Sequence, residues 1–469
     1  MVEFINKMTQ FFPGLAVIAN IIFIVFLVLQ IADDYDKIMA FLKKVFDFRR
    51  HLDTLFWANK RKRYNKVLYS KDYLKWQNEI MKKIYGPLIE RVKTEKKLDI
   101  NFTSIKLEDL KEEYEAVTLR LLKPIDFPFE GVCDKQKLER KGNISEEKYA
   151  NIQKKYKREV KQYYRLIRST IRYPKRMGYM LDDNILDSNG NLEIKAYCGN
   201  YENNLKTSHI LEYELYLKYC KYGWKFKQND REEILKKLPI RNEIHQYFKE
   251  AGNESNVLLS GKGRASLLGV QVFVLIKNYT GKYDVLRIRR SENVAAKPGF
   301  LQFIPSGGFE AMNDCVDYDS QWDNYSLSKI IFRELLEECF GQDEDDNKIN
   351  GNNISPDKIY GNTYVKEIIN KLRNQNDGSK IQLLGSAMSL VGLRHELSFI
   401  LKIDDPEFST AFIGNYETKT AIHLVDIELL ERKEFWMEDD IKKLNCTSAA
   451  LFELARQSDI YKSCLNGVQ

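Results

Sequence analysis

Residues 11–31 form a run of 21 amino acids without a charge, interrupted by polar side chains only at Asn20 and Gln30. At 1.5 Å per residue a helix of that length reaches about 32 Å, the thickness of a bilayer's hydrocarbon core. A cleaved signal peptide fits less well, because Glu3 joins Lys7 in the flank and Gln30-Ile31-Ala32 lacks the small residues of a cleavage site. A buried core helix is the other alternative. Beyond the run stand Lys37, Lys43, Lys44, Arg49, Arg50 and Lys60-Arg61-Lys62-Arg63, against Lys7 and the amino group before it. That asymmetry predicts a single-pass anchor with the N-terminus outside and the rest of the chain cytoplasmic. Residues 38–48 mix apolar side chains with Lys43 and Lys44, as an interfacial helix or a continuation of the span does. The basic residues that follow are placed to meet anionic membrane lipid or to form a solvated helix face.

The chain has 469 residues, 43% of them hydrophobic, enough for two or three domains with real cores and too apolar for a disordered protein. Its net charge of +7 gives no argument for DNA or RNA as a partner. Charge is uneven, however: residues 35–176 carry 37 basic against 20 acidic side chains, leaving 37 against 47 for the rest. The seven cysteines show no CxxC and no short Cys/His spacing, so neither a zinc site nor a disulfide scaffold is expected and a reducing compartment fits. The five histidines are far apart in sequence.

These shifts divide the chain into a tail and transmembrane helix (1–36), a basic helical connector (37–176), a small mixed segment (177–260) and a C-terminal domain (261–469). In the connector, Tyr149, Ile152, Tyr156, Val160, Tyr163, Ile167 and Ile171 recur at steps of three and four, which predicts one long amphipathic helix stopped by Pro174. Its apolar stripe either packs within the chain or gathers several copies into a homo-oligomer. Leu107, Leu110, Tyr114, Val117 and Leu121 predict a second helix. The mixed segment reads as a turn at 188–191, a strand at 192–197 and a helix at 208–222, with no catalytic constellation. Gly261-Lys262-Gly263 lacks the spacing of a phosphate-binding P-loop and reads as a flexible inter-domain loop.

After Ser266 the pattern changes to short strands at 267–277, 283–290 and 301–305, a helix at 326–338, strands at 381–388, 397–403 and 421–426, and a terminal helix at 448–458. The expected fold is α+β, a mixed sheet packed against helices. The helix at 326–338 carries Glu334, Glu337 and Glu338 at i, i+3 and i+4, so three carboxylates crowd one face. A hard cation such as Mg²⁺ relieves that repulsion and clamps a diphosphate, while Arg333 pairs with one of the carboxylates.

Pro305-Ser306-Gly307-Gly308-Phe309-Glu310 at a strand end, followed by Arg333-Glu334-Leu335-Leu336-Glu337-Glu338, resembles the Nudix box. The resemblance covers roughly residues 265–460 and implies a Nudix-like C-terminal domain. It makes Gly308 the motif glycine, Arg333 and Glu334 the Arg-Glu pair, and Glu337 and Glu338 metal ligands beside Glu334, with Mg²⁺ as cofactor. Glu338 and Glu396 are then the catalytic carboxylates if the domain hydrolyses a nucleoside diphosphate-linked substrate. Arg289, Arg290, Gly307, Gly308 and Arg333 are the implied ligand contacts, near the edges that also carry Arg394-His395-Glu396. The box departs from the motif in two places. Eighteen residues, not seven, separate Asp314 from Arg333, and Gly341 comes one position late. The domain order also resembles the transmembrane-Nudix effectors of the bacterial cyclic-oligonucleotide-based anti-phage signalling systems (CBASS). That likeness implies a cytoplasmic sensor of a cyclic nucleotide that oligomerises on activation and disrupts the inner membrane.

Overall fold

In a computed structural model the chain is described at residues 21–25, 55–139, 150–168, 176–187, 189–290, 297, 299–311, 317–340, 356–374, 377–412, 422–438 and 441–467. Two units separate, residues 1–63 and 64–469. In the first, residues 21–25 and 55–63 are helical. The remainder of the 11–31 span, the interfacial stretch 38–48, Tyr149, Ile171 and Pro174 lie outside the described residues. No described helix is long and apolar enough to cross a membrane.

The second unit begins with helix α1 (Lys71–Lys96), whose Ser70 cap accepts the Tyr73 N–H and whose Trp76, Ile80, Ile84 and Leu88 are buried at helical spacing. It packs on a hairpin of β1 (Asp99–Leu107) and β2 (Leu110–Asp126). The hairpin corrects the predicted helix through Leu107, Leu110, Tyr114, Val117 and Leu121. Leu107 pairs with Leu110 across a two-residue turn, and β2 continues along another strand further on in the chain. Residues 114–119 are buried on both faces of the sheet, so their apolar side chains lose the period of two that marks a half-exposed strand. The turn itself, Glu108-Asp109, lacks the Asn-Gly or Asp-Gly signature of a hairpin. Residues 37–176 are therefore not an all-helical connector.

The predicted long helix is two pieces, α2 (Ala150–Lys155) and α3 (Lys157–Ile167), broken at Tyr156. Val160, Tyr163 and Ile167 are buried within the chain, and the basic residues Lys154, Arg158, Lys161 and Arg165 are exposed. A small ribbon of β3 (Met177–Leu181) and β4 (Ala196–Asn200) follows, four residues beyond the start of the strand expected at 192–197. A π-helical turn (Leu205–His209) enters α4 (Ile210–Tyr222), which packs on α3 with Tyr163 stacked 5.5 Å from Tyr213. Helices α5 (Arg231–Lys237) and α6 (Pro239–Glu250) complete the segment.

The main sheet then adds β5 (Gly269–Lys277), β6 (Tyr283–Arg289), β7 (Leu301–Phe303) and β8 (Ser306–Gly308). After helix α7 (Leu327–Cys339) come β9 (Lys380–Ser389), β10 (Arg394–Ile403), β11 (His423–Asp426) and helix α8 (Cys446–Gln457). The strand order is β1-β2-β9-β10-β5-β6-β11, with β7 on β6 and β8 on β5; β5 and β10 are parallel and the other pairs antiparallel. The expected α+β mixed sheet is thus present, and it recruits β1 and β2 from before residue 261. Side-chain alternation on β5 explains its two coats. Phe273 and Leu275 share a core with Ala449 and Phe452 of α8. Val272 and its register partner Phe399 face the other way, where Phe399 meets Phe129, and Phe332 of α7 meets Phe127.

Candidate functional site

Helix α7 starts where Ser326 accepts the Lys329 N–H, and its apolar side presses Ile330, Ile331 and Leu335 into the core. This orientation lays Arg333, Glu334, Glu337 and Glu338 over the end of β8, which is held to β5 by the pairs Gly308 with Gly269 and Gly307 with Val270. The Arg333 side chain is 1% exposed. It donates to Gly308 O at 3.1 Å and Glu310 O at 3.3 Å, pairs with Glu334, and lies 3.4 Å from Glu337 Oε1. Burial works against charge on this guanidinium, but Glu334, Glu337 and Glu310 outweigh it and hold the proton more firmly than in an ordinary arginine. Glu338 Oε2 accepts the Ser306 N–H at 2.7 Å. Glu334 fills the space a side chain at position 307 would need: a Cβ there would lie 2.1 Å from Glu334 Oε2. Gly307 is therefore required by close approach to a buried carboxylate.

A cavity of about 270 Å³ opens beside this clamp. Gly307, Gly308, Arg290, Arg394 and Glu396 line it, joined by Tyr201, His209, Glu212, Lys297 and Cys446. Arg290 lies near Glu338 and Glu396; burial pulls its guanidinium below the usual value, and these two carboxylates pull back. Glu396 Oε2 and Arg394 Nε are buried without a hydrogen-bond partner among the described residues. Gly269 makes room for both side chains, since a Cβ there would meet them at 2.7–2.8 Å.

Several expected roles change. Arg289 is exposed and donates to Gly299 O at 2.9 Å, away from the cavity that its neighbour Arg290 lines, because successive strand residues point to opposite faces. Arg333 does not line the cavity: its guanidinium donates to two carbonyls, pairs with Glu334 and lies beside Glu337, so it positions the Gly-Gly turn. Glu334, Glu337 and Glu338 share a helix face but are turned to different partners, Glu334 and Glu337 to Arg333 and Glu338 to Ser306. Among the described residues no three His, Cys, Asp or Glu side chains converge so that they could hold a metal. Mg²⁺ demands close to octahedral oxygen geometry, and the side chains as placed do not fit it.

Sequence reasoning missed the residues that reach the cavity from distant segments. His209 comes from the π-helical turn, where burial, then the charge of Arg394, holds its imidazole down to about 3. Glu212 is pushed above the usual carboxyl range by burial. Lys297 has a left-handed backbone (φ 47°), donates its N–H to Tyr69 Oη at 2.9 Å and its ammonium to Glu115 at 2.9 Å, and sits 3.1 Å from Cys446 Sγ. No spacing in the sequence links these positions.

His395, between the two cavity residues of β10, is 1% exposed, with Nδ1 3.0 Å from Ser386 Oγ. Burial, then the nearby Arg264 charge, holds it down to about 3. The folded value is depressed, so its contribution is complete above pH 6.5 and is lost as pH falls toward 3. We expect the wild type to lose about 2 kcal/mol more than His395→Asn between pH 7 and pH 5 in urea unfolding. Parallel pH profiles for the two proteins would refute a neutral buried His395.

No protein-family model matches the chain, and no curated protein matches it.

Proposed function

We propose that the chain is a membrane-anchored effector whose cytoplasmic, Nudix-like part senses a cyclic nucleotide and passes the signal to the span at residues 11–31. In this reading the anchor is single-pass in a bacterial inner membrane with the N-terminus outside, activation gathers copies into a homo-oligomer, and membrane lipid is the target. The uncharged run and the basic residues after it support the anchor. One observation favours sensing over turnover: each carboxylate of α7 is engaged inside the protein, and Arg290 lies near Glu338 and Glu396, supplying positive charge to those carboxylates. The cavity edged by Arg290 and Arg394 offers positive charge to a phosphate, but at about 270 Å³ it has room for only part of a nucleotide.

The second reading is a membrane-tethered Mg²⁺-dependent hydrolase of a nucleoside diphosphate-linked substrate, a bacterial Nudix enzyme rather than a receptor. It draws on Glu396 Oε2, buried without a hydrogen-bond partner among the described residues, on a side chain that shares the neighbourhood of Arg290 with Glu338. To separate the two, the full chain in detergent is incubated with Mg²⁺ and either cyclic di- and trinucleotides or ADP-ribose. Sensing predicts thermal stabilisation by a cyclic nucleotide that is recovered intact, with affinity within about threefold in Glu337→Gln/Glu338→Gln, whose amide oxygens keep the acceptor positions. Cleavage of ADP-ribose that falls at least a hundredfold in that variant would replace sensing with hydrolysis.

A further inference from the structure

A second cavity, of about 870 Å³, lies outside the Nudix-like strands and helix, walled by α2, α5 and α6 and by the Gly261-Lys262-Gly263 turn. Small-molecule sites run from about 300 to 1,000 Å³. A cyclic dinucleotide carries two bases, two sugars and two phosphates, and so needs the upper part of that range. The cavity beside Glu396 falls below its lower end, while the second lies well within it.

We infer that the second cavity is where the cyclic nucleotide is held, with its phosphates on Lys236 and Lys262 and a base on Tyr247. This rests on the sensing reading and moves its ligand away from the carboxylate helix. Lys236 has no ion pair with a described residue, and Lys262 has only Asp183 at 3.2 Å, both partners about 40% exposed. An exposed pair of that kind is worth little and yields readily to a phosphate. Tyr247 is 46% exposed, and its ring borders Gly263, whose backbone is left-handed at φ 81°. Aromatic rings at such a border stack on bases of any sequence, and Asn242 on the same helix lines the cavity, its Oδ1 accepting from Gln246 Nε2 at 3.4 Å.

The turn that carries Lys262 is firmly seated. A Cβ at Gly261 would lie 1.9 Å from Leu181 O, so the turn presses directly on β3. Arg264, 1% exposed, donates to Ser260 O at 2.9 Å and Leu393 O at 2.7 Å. The expected flexible linker is thus a packed ledge. Leu393 follows Val391 and Gly392, which line the first cavity, so the ledge and the carboxylate site share one turn. A ligand on Lys262 has a path of direct contacts to that site.

The test uses the full chain in detergent with cyclic di-AMP, cyclic di-GMP and cyclic tri-AMP as probes, read by titration and by hydrogen exchange. Lys236→Glu/Lys262→Glu, at positions outside the core, should lose at least tenfold in affinity with its melting temperature unchanged. Protection should concentrate in residues 231–250 and 260–264. Unchanged affinity in the double variant, or protection confined to residues 286–310 and 394–396, overturns this site while leaving the sensing reading intact. Failure of the wild type to bind any of the three probes overturns both.

Discussion

Replacing Arg333 with Met should lower the opening free energy of the amides in Leu327–Cys339 by about 3–5 kcal/mol, the usual cost of removing one partner from a buried ion pair. The guanidinium is nearly inaccessible and pairs with Glu334, itself 5% exposed and pressed against Gly307. Met fills much of the volume but leaves that carboxylate charged in a dry site and takes the guanidinium donor from the Glu310 carbonyl, while Gly308 O keeps the Glu310 N–H at 2.7 Å. Two signatures separate this from loss of packing. Without the Arg333 charge beside it the buried carboxyl takes up a proton more easily, so the loss should be smaller at pH 5 than at pH 8. Adding Glu334→Gln should restore at least half of it, because the two residues form one unit. Equal losses at both pH values, or additive losses in the double variant, would mean that Arg333 acts by volume alone.

Arg241→Met should cost a similar amount, about 3–5 kcal/mol, read in the exchange of amides in Lys71–Lys96. Arg241 is fully buried and joins three segments: it donates to Tyr85 Oη of α1 at 2.6 Å, to Leu390 O at 2.9 Å and to Val391 O at 2.6 Å. Glu214 holds the start of the same helix by accepting the N–H groups of Ile240 and Arg241. Charge-assisted bonds contribute about 1.5–3 kcal/mol each, and their buried acceptors are stranded when the donor goes. Arg241→Lys should recover only part, since one ammonium cannot reproduce the planar fork. Because Val391 lines the smaller cavity, the substitution should also loosen that wall. Undisturbed exchange in α1 would show that the helix is held by its apolar face alone.

These two arginines illustrate different degrees of legibility. Arg333 stands inside a motif, and its pairing with a neighbouring carboxylate follows from helix spacing. Its isolation from ligand does not, because that depends on where the carbonyls of Gly308 and Glu310 lie. Arg241 has no motif. Its three partners are 149 or more residues away in sequence, and only the packing of α1, α6 and the turn between β9 and β10 brings them within reach.

The strands after residue 266 were readable because apolar runs there are short and bounded by turn residues, as at Asn278–Lys282. The hairpin at β1 and β2 was not, since a strand buried on both faces carries the same apolar density as a helix. The candidate site divides in the same way. Gly307, Gly308 and Glu338 belong to the stretch whose resemblance to a motif singled them out, whereas His209 with Glu212, Lys297 and Cys446 converge from three separate segments.

By itself the sequence determined the elements whose periodicity is local: the uncharged run of 21 residues, the short strands of the C-terminal part and the helix that crowds three glutamates on one face. Tertiary structure alone decided which partner each glutamate takes, that β1 and β2 join the C-terminal sheet, and that a glycine-rich turn becomes the ledge of a cavity. The physical reason is range. Backbone propensity and side-chain alternation act over a few residues, while burial, ion pairing and cavity shape depend on groups that meet only after the chain has folded.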